Sequence, residues 1–189
     1  GALDTKVVGG DASWVAHLDV AAMLKSELGK MFLAAAEDKE GFAQGLIDIK
    51  KNFGLDPLKD IRGVTAYGPR LGDRDGVVVV DATVESDKLF DLLKAKESYK
   101  SEKHGKHVIH QWTEVSKHSN KKATSYGCFY DNKTIVFGTG VKRLGAALDV
   151  LDEKVKNLST TNAIGSLPKT ADVAFCVLAS DNVVFPEGK

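Results

Sequence analysis

Six of the eight residues in the stretch 77–84, VVVVDATV, are β-branched. Such side chains are stiff about their first torsion and fit the pleated surface of a strand better than a helix. A strand with valines on both of its faces finds no stable place at an edge, so residues 77–84 are predicted to lie centrally in a sheet. The rest of the chain must supply the strands around it and an apolar layer to cover it.

Those strands are legible as short runs between turn signals. Residues 13–20 and 61–67 have strand length, and 107–113, 123–130 and 134–139 follow after the first helical stretches. The last two are separated by Asp131, Asn132 and Lys133, a tight-hairpin spacing that makes them antiparallel. Residues 172–179 close the series. Helices are read from three- and four-residue periodicity. Leu24, Leu28, Met31, Phe32 and Ala35 share one face that a helix must bury, and Phe42, Leu46, Ile49 and Phe53 continue the pattern. Asp19 is placed to cap the first of these helices, and Gly54 to end the second in a left-handed conformation. Leu89, Leu92 and Leu93 form one further apolar helix face behind Ser86, and Val141, Leu144, Leu148, Leu151 and Val155 form another. Residues 157–166 are rich in Ser, Thr and Asn and are expected to form a loop.

Strand and helix units separated by hairpins predict an α+β fold, a mainly antiparallel sheet covered on one face by helices. The order through Thr113 is that of a ferredoxin-like unit with its first helix doubled. A weak echo between DASWVAHLDV at 11–20 and TADVAFCVLA at 170–179 adds the prospect of duplication, as if a second unit began there. Gly1 reads as a residue left by tag removal, and residues 1–10 as a polar lead-in. Residues 11–189 are expected to form one α+β domain that admits division into two fused units, 11–114 and 115–189.

At 189 residues the chain is long enough to build a substantial core without a staple. Its 26 Lys and Arg balance its 26 Asp and Glu, so no global field recruits nucleic acid or an anionic membrane surface. No apolar stretch approaches the ~20 residues needed to cross a bilayer, and no basic segment with an apolar core opens the chain. Cys128 and Cys176 sit in separate strand-like runs and read as small buried hydrophobes. A bridge between them requires those strands to be neighbours.

The stretch LDPLKDIRGVTAYG at 55–68, with SWVAHLD at 13–19, resembles uncharacterised extracytoplasmic bacterial proteins built from repeated α+β domains. The resemblance covers about the first two thirds of the chain. It implies a periplasmic or secreted setting in the bacterial envelope and an unknown protein or envelope partner, and it offers no family catalytic residues to carry over.

One charge asymmetry stands out. Between Lys100 and Lys122 lie four of the five histidines, His104, His107, His110 and His118, and six lysines against Glu102 and Glu114. Lys103, Lys106, His107, His110, Trp112 and Tyr126 are the candidate ligand-binding residues, suited to a small anion or a glycan. The ordinary alternative is a solvated edge strand, where lysines discourage unwanted pairing. His107 and His110, three apart on a strand, point to opposite faces and do not make a metal pair, so no metal is expected. His17 lies in an apolar run with no nucleophile motif around it and is expected to be a hydrogen-bonded core histidine.

Gly138-Thr-Gly140 ahead of a helix lacks the third glycine of a dinucleotide fingerprint, so no cofactor is expected. The helix start can still attract an anion, with Lys142 and Arg143 beside it. The leading expectation is a non-catalytic binding or structural module, with an anion- or glycan-binding protein as the alternative.

Overall fold

The computed structural model describes residues 1–37, 40–71, 75–83, 86–96, 98–115, 122–161, 164 and 175–180. Its strands are β1 (Trp14–Asp19), β2 (Ile61–Gly68), β3 (Val77–Ala82), β4 (Lys100–His104), β5 (His107–Val115), β6 (Lys122–Phe129), β7 (Thr134–Gly138) and β8 (Phe175–Ala179). Its helices are α1 (Val20–Lys25), α2 (Glu27–Glu37), α3 (Glu40–Phe53), α4 (Ser86–Lys94), α5 (Val141–Leu151) and α6 (Leu158–Thr161). The strands form one sheet in the order β4-β5-β6-β7-β3-β2-β1-β8, with every neighbouring pair antiparallel. The α+β layout is the expected one. The parallel neighbours that a ferredoxin-like crossover sets side by side do not occur among the described strands.

The valine strand sits where its composition requires. β3 lies between β2 and β7, and its residues alternate between two cores. Val77 and Val79 join the larger cluster, in which Leu144, Ala147 and Leu148 of α5 press on Ile109, Cys128 and Val136. Val80 and Ala82 join a smaller cluster with Leu89 of α4, Leu55 and Ile135. Since successive strand residues face opposite ways, α5 and α4 lie on opposite sides of the sheet. α5 provides the main helical cover.

The two echoing ends meet in space. β8 pairs with β1 so that His17 lies opposite Cys176, and the C-terminal run thereby extends this sheet. Residues 165–174, which carry the rest of the echo, lie outside the described residues. Both cysteines are free thiols, because β7, β3, β2 and β1 separate β6 from β8 and place the two cysteines roughly 24 Å apart. His17 is buried, with Nδ1 2.9 Å from Thr65 Oγ1 and Nε2 2.9 Å from the Gly1 carbonyl, the core histidine expected.

Three expectations need correction. Residues 1–10 are not a free lead-in: Val8 is fully buried, and its carbonyl accepts from the Leu158 amide at 2.8 Å. The stretch after Asn157 includes a short helix, α6, rather than only loop. The apolar stripe after Asp19 is not buried either. Asp19 caps α1 as anticipated, accepting from the Ala22 amide at 2.8 Å, but the Ser26 hydroxyl then ends α1 and accepts from the Gly29 amide at 2.9 Å. That break re-aims the chain and leaves Leu28 78%, Met31 69% and Phe32 57% exposed. Phe32 meets Phe42 of α3 edge to face, with ring centroids 6.3 Å apart. Gly54 ends α3 at a φ of 63°, the left-handed cap expected.

β4 has no apolar alternation and was not separable by pattern from the basic segment around it. It is one of the two outer strands of the sheet, with Lys100 and Lys103 exposed, as an edge protected by lysine should be.

The seat of α5 depends on close approaches at Gly138, against the helix itself, and at Gly145, where a Cβ would lie 2.9 Å from the His104 ring. A Cβ at Gly138 would lie 3.1 Å from Leu144 Cβ and 3.2 Å from its Cα and N. Gly140, two residues on, has nothing within 4 Å of its Cβ position. Gly138→Ala is expected to cost about 1–3 kcal/mol by pushing α5 off the sheet. Gly140→Ala should cost less than about 1 kcal/mol. Urea denaturation of both variants checks this, and equal losses would refute the packing account.

Candidate functional site

A cavity of about 390 Å³ opens on the α5 side of the sheet. Gly9, Gly10 and Asp11 form one wall ahead of β1, Tyr67 rises from β2, and Arg143, Ala146, Ala147 and Val150 come from α5. Val155, Lys156 and Thr161 complete it. Backbone bonds hold these walls together. The Gly10 amide donates to the Lys156 carbonyl at 3.0 Å, and Gly9 bridges to Asn157 in an antiparallel pair.

Much of the lining is aliphatic, and three buried polar atoms on its residues lack hydrogen-bond partners, Arg143 Nε and Nη2 and Thr161 Oγ1, while the Tyr67 hydroxyl oxygen meets the Gly9 amide. A buried donor or acceptor without a partner costs about 1–3 kcal/mol, and such atoms are few in native proteins. Among the described residues, those lining this cavity carry more such atoms than any other place. Arg143 donates through Nη1 to Asp11 at 2.7 Å, while its Nε lies 3.8 Å from Asp75, close enough for attraction and too far for a hydrogen bond. The guanidinium sits 5.8 Å from the centre of the Tyr67 ring.

Tyr67 is only 1% exposed, and burial pushes its hydroxyl pKa up to about 12, although the nearby Arg143 charge and the Gly9 amide favour the phenolate. The phenol is therefore a neutral donor at any physiological pH. The sequence pointed to Arg143 through its place behind Gly138-Thr-Gly140. It gave no sign of Tyr67 or Thr161, which only the sheet and the chain's return through α6 bring near.

The six residues singled out in the basic segment do not converge on an open surface. Trp112 is 2% exposed and meets Phe137 edge to face, at 6.5 Å between ring centroids. His110 is buried against Phe90 and Phe129, with Nδ1 2.8 Å from the Tyr99 hydroxyl, and burial with the nearby Lys94 charge lowers its pKa. His107 is buried on the opposite side of β5, facing the end of α5. Tyr126 is half-buried against the larger core. Lys103 and Lys106 are the exposed members. Lys117, His118 and Lys121 lie outside the described residues.

What the basic hairpin does in this structure is hold the acidic end of α5. Asp149 and Asp152 stand where the helix carbonyls already concentrate negative potential, an unfavourable place for carboxylates without cationic partners. His104 Nε2 meets Asp149 at 3.0 Å, and His107 Nε2 and Lys106 Nζ each meet Asp152 at 3.0 Å. Lys154 reaches both carboxylates, and the Tyr130 hydroxyl lies 3.1 Å from Asp152. The His107 ring stacks on Tyr130 at 4.8 Å.

The hydrogen bond from His107 leads in holding the Asp152 carboxyl well below the usual carboxylate range, against burial and with help from Lys154, Lys106 and Tyr130. Because the folded state lowers this pKa, the unfolded chain takes up the proton first as pH falls. The clasp's contribution is therefore complete above about pH 5 and is lost progressively below it. Asp152→Asn is expected to cost about 1.5–3 kcal/mol at neutral pH and to flatten the acid limb of stability against pH. Denaturant titrations from neutral to acid pH measure both effects, and an unchanged acid limb would remove Asp152 from this role.

No protein-family model matches the chain, and no curated protein matches it. Two solved structures, crystal forms III and IV of TP0453, are similar over part of their length, each with a TM-score of 0.47. Identity is 14% and 13%, over 81% and 83% of this chain and 53% and 54% of those chains. The chain thus spans about half the length of TP0453, and a likeness of this degree assigns it neither a family nor a function.

Proposed function

We propose that this chain is a non-catalytic binding module whose ligand, a small organic molecule, occupies the cavity between Tyr67 and α5. The observation that carries the reading is a space of about 390 Å³ with an aliphatic wall from α5 and the charged residues Asp11, Arg143 and Lys156 in its lining. That size falls within the range of small-molecule sites, and the mixture of aliphatic wall and few polar groups is typical of them.

The non-catalytic half is supported by the state of the reactive groups described. Burial pushes the Cys128 thiol up to about 11 and raises that of Cys176, so neither is poised as a thiolate. Both ring nitrogens of His17 are engaged. A periplasmic or secreted setting, in contact with an envelope component, is part of the proposal and rests on the resemblance of residues 13–19 and 55–68. No helix among the described residues is long and apolar enough to cross a membrane. The alternative, an anion or glycan held by residues 100–122, is less favoured because His107, His110 and Trp112 are buried.

Titration of isotope-labelled protein with hexanoate, hexan-1-ol, hexylamine and inorganic phosphate tests the cavity. At least one is expected to give saturable NMR shifts centred on the amides of Gly10, Arg143 and Lys156. Ala146→Trp, an exposed helix position filled into the cavity, should weaken that binding by about tenfold or more, against ~1.4 kcal/mol per decade, without unfolding the chain. No shifts from any of the four up to about 10 mM would sink the reading. Turnover of a bound compound would sink its non-catalytic half.

A further inference from the structure

We infer that β8 is an interaction surface whose occupant is a second copy of this chain, the two β8 strands joined edge to edge in an antiparallel pair. This is independent of the cavity. The eight-stranded sheet has two outer strands, and they are built in opposite ways. β4 exposes Lys100, Glu102 and Lys103, charges that an approaching strand would have to desolvate. β8, FCVLA, has no charged residue and no proline. Among the described residues no strand pairs with its outer side, which leaves alternate backbone amides and carbonyls to be met by water or by another chain.

The side chains make this edge apolar as well. Phe175 is 62% and Val177 59% exposed, more than any other large apolar side chain on the described strands. Residues directly opposite each other across strands share a face, so an apolar rung runs inward from Phe175 through Leu18 and Val64 to Val80. Val177 and Ala16 begin a second rung beside it. The core beneath α4 takes in Val80, while Leu18 and Val64 are half-buried and the outer ends of both rungs face solvent. A strand added beyond β8 extends both rungs.

Three features select a second copy as that strand. Paired with itself about Val177, β8 sets Phe175 opposite the partner's Ala179 and Cys176 opposite the partner's Leu178, so large side chains meet smaller ones and no charges are opposed. A two-fold axis presents the same patch from both sides, so one strand supplies both halves of the interface. Pairing also consumes β8 in both copies and leaves β4, with its lysines, at either end of the joined sheet. Assembly therefore closes at two. Two five-residue edges bury less than the roughly 1,200 Å² of a stable interface, so half-association is expected between about 10 µM and 1 mM.

Sedimentation of the whole chain across about 10 µM to 1 mM tests this, and a monomer–dimer equilibrium without larger species is expected. Val177→Lys should weaken association by about tenfold or more, because two ammonium groups would stand directly opposite each other at an exposed position that the fold does not need. Should that variant unfold, Val177→Cys in a Cys176→Ala background gives the second reading. Opposed residues of an antiparallel pair have Cα atoms roughly 4.5–5.5 Å apart, within disulfide reach, so mild oxidation is expected to join two chains at position 177. Lys103→Cys on β4, in the same background, should stay uncrosslinked. A monomer at about 1 mM would overturn the proposal. So would equal cross-linking at positions 103 and 177. A dimer that survives Val177→Lys and is lost in Met31→Lys would also overturn it, assigning association to the exposed face of α2 instead.

Discussion

The valine strand β3 is apolar on both faces, and that double demand organises the molecule. Val77 and Val79 need cover on one side, Val80 and Ala82 on the other, and neither set can be satisfied by a sheet facing water. Pairing with β2 on one edge and β7 on the other places β3 deep in the sheet and joins strands from distant parts of the chain. α5 then docks where Gly138 lets Leu144 approach the sheet, and Leu144 and Leu148 close the larger core. The cavity exists because the N-terminal residues and α6 return over the flank of that same helix.

α5 is held differently at its two ends. Near its start Arg143 is drawn toward Asp11 and Asp75 while two of its nitrogens lack hydrogen-bond partners; at its end Asp149, in the last turn, and Asp152, the cap, are met by two histidines, two lysines and a tyrosine. The contrast separates architecture from binding. A fully answered cluster fixes a hairpin to a helix, whereas the cluster at the helix start, beside open volume, is the one on which the proposed binding role rests. The basic segment, the most conspicuous charge feature of the sequence, belongs to the first kind at its His104 to His107 hairpin.

The strand runs, the hairpin at 131–133, the Asp19 cap and the Gly54 terminus were legible because each depends on residues within a few positions. The Ser26 break was missed because a periodic apolar stripe runs straight across it, and a hydroxyl that ends one helix while capping the next leaves no mark on that period. β4 was missed for the opposite reason: an edge strand rich in lysine has no apolar pattern to find. The histidines were correctly set on opposite faces of β5, yet their burial could not be read, since it depends on α4 and α5 arriving from either side.

The sequence by itself determined an antiparallel α+β chain with a central valine strand, because backbone preference and side-chain alternation are set locally. Only the tertiary structure decided that Tyr67, Arg143 and Thr161, far apart along the chain, line one cavity. It also decided that His107 holds a helix end and that Leu28 and Met31 face outward. The reason is desolvation. Whether a polar atom has a partner, or an apolar one has cover, is fixed by what long-range pairing brings against it, and no local pattern encodes that environment.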